Sequence, residues 1–507
     1  MLDVAVIGSG YGGAVVAARL AAHARVLLVE RGGWWRPGDF PSSIGGLARS
    51  YMTTRNPGGL WAMRLGVGTG LAFASAFGGS SAINYGITAQ PDDHAFDDWP
   101  LSPHDLAPWF ERARRELGAS ADPRADELAD KRVLDELEPG CRVDLENTID
   151  WSRCDRCGRC VPGCNHGAKR SLDRTYLERA MREGVELRLR TELIDLVAVD
   201  GGYRLHLRTA GASEWVSARR VVLAAGTLGT VDLLHRSRLP LGPWFGRGLS
   251  MNGDGLAFLY DTRRQISGHS GAPISTSARL RFTDDDGRRR SLMVMSGRVP
   301  MAAMRFAAAG LAALAGVLVD RRARRDHAAG RWLRRLRDLV AVTERGALAH
   351  SFMYKLDGQD SSLGNARFTS DGAVVDWPGY TEDPIMRFAR TRLHGWAERI
   401  GGLVIPDVAT LPGMRSFSVH PLGGCRMGLD LADGVVDPLG RVLDPRGGVY
   451  PGLRIADGSI VRGSLGVPPS LTIAALAERI AADLQRELGQ AARQTLRRAP
   501  PAPSPSR

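Results

Sequence analysis

Residues 2–32 read LDVAVIGSGYGGAVVAARLAAHARVLLVERG, and this stretch decides the fold. Val4 to Ile7 is a short apolar, mostly β-branched run that predicts a strand. Gly8, Gly10 and Gly13 follow at G-x-G-x-x-G spacing, and Ala14 to Ala22 carries small and apolar residues at helical intervals. Val26 to Val29 predicts a second strand ending at Glu30. Each piece has a physical task. Gly8 permits the tight turn, Gly10 lets backbone approach a pyrophosphate, and Gly13 lets helix and strand touch. The helix amino terminus offers free N–H groups to phosphate, and Glu30 can accept from a ribose while its charge opposes a 2′-phosphate. The reading is a dinucleotide site in an α/β fold.

A second stretch, ARRVVLAAGTLGTVDLLHRS at 218–237, predicts a strand over Val221 to Ala224, a small-residue turn at Gly226 and a helix. A late strand of this kind brings small residues back beside a bound dinucleotide, which favours FAD over NAD.

Composition sets the outer limits. The 507 residues suffice for two or more packed lobes, and 44% hydrophobic with 24% charged residues is ordinary for a globular protein. A net charge of +12 would ordinarily raise nucleic acid as a partner. The basic residues are almost all arginine, however, with lysine only at Lys131, Lys169 and Lys355. That one-sided choice reads as codon bias, and no nucleic-acid-reading motif accompanies it, so nucleic acid is excluded as a partner. No charged and apolar leader precedes the first strand, so the expectation is a cytoplasmic address with reduced thiols. The Pro/Arg-rich end, RRAPPAPSPSR, reads as a disordered tail.

Near the other end, SFSVHPLGGCRMG at 416–428 places His420 beside a proline and two glycines. YPGLRIADGSIVRGSLGVPPSLTIAALAERIA at 450–481 is loop-rich and enters a helix at about Leu471. A histidine on irregular backbone near a flavin is a proton acceptor of the kind that alcohol oxidation needs.

Taken in order, GSGYGG…E, AFGGSSAINYGI, AAGTLGT, VHPLGGC and ADGSIVRGSLGVPPSLTIAALAE resemble the glucose–methanol–choline (GMC) oxidoreductase family. The likeness runs from Val4 to about Glu487, loosest over about 260–400, and is greatest to bacterial cholesterol-oxidase-like members with non-covalent FAD. It implies a Rossmann-like FAD-binding domain and a mainly antiparallel substrate-binding domain, α/β in class and α+β overall. The implied boundaries are 1–100, 165–255 and 415–490 for a discontinuous FAD-binding domain, 101–164 for an insertion with a cysteine-rich loop, 256–414 for the substrate-binding domain and 491–507 for the tail.

The resemblance also implies residues. Gly8, Gly10, Gly13 and Glu30 match the ADP-binding turn and its ribose acid, and Leu193 the place where backbone meets adenine. Asn84 lies where the family has an asparagine near the isoalloxazine, and Gly226 is the late nucleotide-side glycine. Asp457 and Gly458 match the pair whose backbone borders the flavin, and Pro469 belongs to the same cofactor-binding set. His420 matches the histidine that binds the substrate hydroxyl and helps remove its proton while hydride passes to flavin. The implied reaction is oxidation of the CH–OH group of a hydrophobic alcohol, sterol-like or long-chain, with oxygen or an acceptor protein taking the electrons. Two features depart from the pattern. The text GVPP puts Pro468, which has no donor, where the family has Asn or His, so the second hydrogen bond must come from Asn84, Ser470 or water. LMVMSGRVPM at 292–301 lacks a carboxylate, so no steroid isomerisation is expected. Pro468 also keeps another reading open, a non-redox lyase or decarboxylase of this fold, and a third reading, a membrane-surface electron-transfer flavoprotein, rests on the apolar and arginine-dense segment at 306–337.

Two segments stand apart. Residues 306–319, FAAAGLAALAGVLV, are uncharged and are followed by an arginine-dense run. Fourteen residues are too few to span a bilayer. The segment is either a buried helix followed by a solvated basic one, or a peripheral contact, at 306–337, with the inner face of a membrane. CDRCGRCVPGC holds Cys154, Cys157, Cys160 and Cys164 in eleven residues. That spacing fits a 4Fe–4S cluster, with Cys164, Cys141 or His166 as the fourth ligand, or else reduced structural thiols; zinc pairs normally stand farther apart.

Overall fold

A computed structural model describes residues 1–53, 55–266, 274–297, 328–339, 345–406 and 415–498. Its centre is an eight-stranded sheet. Leu2–Ile7 (β1) runs parallel to Val26–Val29 (β2) on one side, Val4 opposite Val26 and Ile7 opposite Val29. On its other side runs the long strand Ala212–Leu223 (β3), with Leu2 opposite Ala218 and Ile7 opposite Leu223. The end of β3 pairs in parallel with Val449–Ile455 (β4), and Glu186–Arg188 closes the far edge beside β2. The first half of β3 instead joins an antiparallel meander with Thr191–Val199 and Gly202–Thr209.

The parallel part is buried on both faces, and its strands read as continuous apolar runs for that reason. Tyr11–Leu20 (α1) covers one face, and every residue from Gly12 to Leu20 is buried. Thr227–Arg236 (α2) follows β3, and Ser470–Arg498 (α3) packs against α1. Small residues let these layers approach closely, and each buried Val or Leu contributes roughly 1.5–3 kcal/mol. One ion pair lies inside the α1–α3 contact. Arg19 donates to both oxygens of Glu478 at 2.9 and 2.7 Å, and the Tyr176 hydroxyl donates to the same carboxylate at 2.7 Å.

A six-stranded antiparallel sheet forms the second lobe. Its order is Leu403–Pro406, Gly255–Tyr260, Phe352–Gly358, Arg289–Gly297, Thr276–Thr283 and Arg142–Asp144. The last strand comes from the segment read as an insertion, so part of 101–164 belongs to this sheet. A helix at Pro384–Ile400 packs on the sheet through Trp396 against Tyr354. Its ends are legible in the sequence: Asp383 caps Ile385 N–H, Pro384 takes the first turn, and Gly401 ends it at φ +71°.

Between the lobes lies a three-stranded sheet in which Ser416–Ser418 runs parallel to Thr69–Ala74. It delivers the chain to His420. Residues 306–327, with the apolar run, lie outside the described residues. The arginine-dense run that follows is helical over Ala328–Leu339. Arg334 and Arg335 pair with buried Asp261, which leaves Trp332, Leu333 and Leu336 exposed. Among the described residues no helix is long and apolar enough to cross a membrane.

Candidate functional site

Four of the five parallel strands, β1 to β4, lead into the predicted residues on one rim. β1 leads into Gly8, β2 into Glu30, β3 into Gly226, and β4 into Asp457 and Gly458. This is the carboxyl edge of an open α/β sheet, where ligands of such folds sit. Gly8 has φ +100°, and a Cβ there would stand 2.2 Å from Ala224 O. A Cβ on Gly12 would stand 1.4 Å from Ala456 O, and one on Gly13 1.9 Å from Gly8 O. Three of these glycines are therefore demanded by packing. Gly10 and Gly226 differ, because a Cβ on either meets no heavy atom within 4 Å. Both are the caps of helices, α1 and α2, that lack a side-chain cap. Open space in front of two uncapped helix amino termini is what a pyrophosphate would fill, so the residues present fit a dinucleotide.

Glu30 is fixed rather than free. Ser9 donates to its Oε2 through N–H at 3.0 Å and Oγ at 2.6 Å, and Gly32 N–H donates to Oε1 at 2.7 Å. Each oxygen keeps a lone pair for a ribose hydroxyl. Thr191 N–H donates to Glu30 O at 3.0 Å, and Leu193, two residues farther along the same strand, is buried at a bulge between Leu193 and Asp195. The GGSSAINYG segment lies against the same turn. Gly78 N–H donates to Ser9 Oγ at 3.0 Å, and a Cβ on Gly79 would come within 2.8 Å of Gly10 Cα. Asn84 donates to the Tyr11 hydroxyl at 2.9 Å, and burial raises that phenol.

The Asp457 side chain faces inward. It accepts from Thr230 Oγ1 at 2.5 Å and from Ser459 N–H and Oγ at 2.9 and 2.6 Å, and burial raises its pKa. Its carboxylate thus braces the rim, leaving the backbone of Asp457 and Gly458 as the part available to a ligand. The His420 loop is sewn to these elements: Thr227 Oγ1 donates to Pro421 O at 2.6 Å, and Gly423 N–H to Gly458 O at 3.0 Å. Pro469 is buried, and its carbonyl accepts the first bond of α3, from Ile473 N–H at 2.9 Å.

Around the His420 ring the second lobe contributes charges that the sequence reading did not single out. Nδ1 lies 2.8 Å from Asp357 Oδ1 and 3.7 Å from Asp254 Oδ2. Lys355 Nζ bonds Asp254 Oδ1 and lies 3.1 Å from Asp357 Oδ1. Lys355 and Asp357 are two apart on one strand, so both meet the same side of the sheet. Burial opposes their charges, yet mutual attraction wins: Lys355 is held above and Asp357 below its ordinary value. The donor atoms of Asp254, Asp357 and His420 lie close enough together for a metal, but the Lys355 ammonium already joins the two carboxylates there.

The cysteine loop reaches the rim through one residue. Lys169 Nζ donates to Asn84 O at 2.7 Å and to Cys160 O at 3.4 Å. Burial pulls Lys169 down to about 8 and pushes the Cys160 thiol up to about 12. Cys160 is buried, Cys154, Cys157 and Cys164 are half-buried, and none of the four is in a disulfide. The tightest donor group on the loop is mixed, with atoms of Asp155, Cys157 and His166 within 4.8 Å of one another.

One signal could have flagged the missed residues. In a chain so rich in arginine, the three lysines are the exceptions, and each is buried: Lys131 is 3%, Lys169 4% and Lys355 6% exposed. All three hold carboxylates or carbonyls in spaces suited to a compact ammonium.

Comparison with known proteins agrees with this geometry. Two GMC oxidoreductase family models match residues 55–250 and 408–477, between them more than half of the chain. A cholesterol oxidase of Mycobacterium tuberculosis is 27% identical, covering 94% of this chain and 90% of its own length. A long-chain-alcohol oxidase of Arabidopsis thaliana is 24% identical over 93% of this chain and 65% of its own length. Among solved structures, the pyridoxine 4-oxidase described as from Mesorbium loti superposes with a TM-score of 0.64 at 18% identity, covering 96% of this chain and 99% of its own.

Proposed function

The chain belongs to the GMC oxidoreductase family, and on that premise we propose that it is an FAD-dependent enzyme oxidising the CH–OH group of a hydrophobic alcohol. The observation that carries this reading is the Asp357-anchored His420 ring on a loop bonded directly to the rim at Thr227 and Gly458.

Bound FAD supplies a two-electron acceptor for the carbinol hydride. The chain's own residues do the rest. Gly8, Gly10, Gly13 and Gly226 would admit the pyrophosphate, Glu30 would take the ribose, and the Leu193 backbone would meet the adenine. Asn84, Asp457, Gly458 and Pro469 would hold the ring. The carboxylate on Nδ1 keeps that nitrogen protonated and leaves His420 Nε2 as the acceptor for the hydroxyl proton. Pro468 offers no donor, so the hydroxyl's second partner is sought at Asn84, Ser470 or water. Ser470 Oγ already donates to Ile87 O at 3.0 Å, and Asn84 donates to the Tyr11 hydroxyl at 2.9 Å and accepts from Gly86 N–H at 3.0 Å, which leaves water the freer choice. The names of the sterol- and long-chain-alcohol-oxidising relatives support an apolar substrate.

Mixing the holoprotein anaerobically with cholesterol and with a long-chain alcohol tests the reading. Bleaching of the flavin absorbance supports it. Turnover without bleaching would instead identify a lyase.

The spacing of four reduced cysteines in eleven residues supports a second group, a 4Fe–4S cluster on Cys154, Cys157, Cys160 and Cys164, that would pass electrons to an acceptor protein. Iron and acid-labile sulfide in anaerobically purified protein test it, and their absence leaves oxygen as the oxidant. Exposed Trp332, Leu333 and Leu336 support peripheral membrane contact by the 306–337 region of a cytoplasmic protein.

A further inference from the structure

Resting on the alcohol-oxidising reading of His420, we propose that Asp357 is a positioning residue for the reaction, held in place by a Lys355–Asp254 bracket and coupled through Asn252 to the segment before Pro468. Three donors converge on one oxygen of Asp357. His420 Nδ1 lies 2.8 Å, Lys355 Nζ 3.1 Å and Asn252 Nδ2 3.3 Å from Oδ1. The residue is 0% exposed, and among the described residues its Oδ2 has no partner. A carboxylate with all its bonds on one oxygen is oriented by those bonds.

The bracket leaves little freedom. Lys355 spends its remaining donors on Asp254 Oδ1 and on Leu356 O at 2.9 Å. Asp254 Oδ2 accepts from Val419 N–H at 2.6 Å and from Ser418 Oγ at 3.1 Å, and Ser418 Oγ accepts from His420 N–H at 3.0 Å. The same Asp–Lys–Asp unit therefore fixes the His420 ring at one end and its backbone at the other.

Asn252 extends the unit. Its carbonyl oxygen accepts from Leu465 and Gly466 N–H at 2.8 and 3.3 Å, and its amide donates to Val467 O at 2.8 Å. It is fully buried at φ +58°, a left-handed conformation that asparagine tolerates better than most residues. The chain entering Pro468 is thus tied to the carboxylate that orients His420. Where Pro468 removes a side-chain partner from the front of the site, this network supplies order from behind.

Charge gives the unit its chemical role. Asp254 and Asp357 against Lys355 leave one negative charge, which an imidazolium at His420 neutralises. A proton taken from the alcohol is stabilised where it lands. Farther back, Asp360, Asp383 and Tyr380 also act on this region. Asp360 is raised to about 6 by burial and by Asp383, and the Tyr380 phenol is held well above its ordinary value.

The test uses full-length holoprotein. Nitrogen NMR of histidine-labelled wild type reads the His420 tautomer whether or not an alcohol is turned over. Nδ1–H with a bare Nε2 is expected, and Nε2–H with a bare Nδ1 overturns the proposal. Asp357→Asn should keep its flavin and its melting temperature while kcat falls between about 10- and 10⁴-fold with little change in KM. Its residual rate should climb more steeply with pH than the wild-type rate, as solvent base replaces the weakened acceptor. Wild-type kcat in Asp357→Asn, or a loss of kcat only in proportion to lost flavin, refutes it. A wild type that fails to bleach with any alcohol refutes the functional reading and leaves the tautomer result standing on its own.

Discussion

Replacing Gly10 and Gly12 with alanine, one at a time, separates a ligand's demand for glycine from the fold's. Gly10 has φ −66° and ψ −171°, allowed for any residue, and its Cβ would meet no protein atom within 4 Å. In the apoprotein Gly10→Ala should therefore be close to neutral, a gain of about 0.4–1 kcal/mol through the unfolded chain being offset by alanine's poorer fit at a helix N-cap. If a pyrophosphate fills that space, the added methyl overpacks it at roughly 1–3 kcal/mol. At 1.4 kcal/mol per decade this is about 5- to 150-fold weaker FAD binding. At Gly12 the new Cβ would lie 1.4 Å from Ala456 O, so α1 must move away from the β4 turn. Gly12→Ala should lower apoprotein stability and FAD binding together. Thermal melting of the apoproteins and fluorescence titration with FAD read the two effects separately. Wild-type FAD affinity in Gly10→Ala, or equal loss of apoprotein stability in both variants, would refute the placement of the pyrophosphate.

Glu478→Ala removes the bidentate partner of the 5%-exposed Arg19 and leaves it only Glu116 at 3.3 Å, and urea unfolding should show a loss of up to about 3–5 kcal/mol. Lys169 has a folded-state pKa of about 8, depressed from about 10.4 in an unfolded chain. Between these values the unfolded state binds more protons, so this group's contribution to stability rises with pH. The stability of wild type relative to Lys169→Met should accordingly improve between about pH 8 and pH 10 by denaturant titration; a flat or falling difference contradicts the assignment. Changing Trp332 and Leu336 together to serine should reduce co-sedimentation with anionic vesicles and leave flavin content untouched. Unchanged sedimentation removes the membrane proposal.

The parts of the molecule legible in the sequence are those whose interactions are local. The β1–α1–β2 unit is written in adjacent residues, and the expected strand Val4 to Ile7 differs from the observed Leu2–Ile7 only at its start. The helix expected from about Leu471 begins at Ser470. The strand expected at Val221 to Ala224 proves to be the end of a twelve-residue strand whose first half serves an antiparallel meander. Its polar, alternating first half gave no apolar run to read. The Asp254–Lys355–Asp357 network was harder to read for another reason, and only the rarity of lysine pointed to it. Asp254 lies 101 residues before Lys355, and the pair of Lys355 and Asp357 meets it and His420 only once the sheet has formed. Nothing in the spacing of one Asp and a Lys-x-Asp marks them out.

The burial of Lys131, Lys169 and Lys355 also changes what reagents can do to this protein. Amine-directed dyes, crosslinkers and activated resins find their usual targets among surface lysines, and here every side-chain amine is inside. Lysine modification on the folded molecule should be nearly nil and should appear only as the chain opens. An ordinary labelling reaction thus becomes a gauge of unfolding, and oriented attachment of the protein must go through some other group.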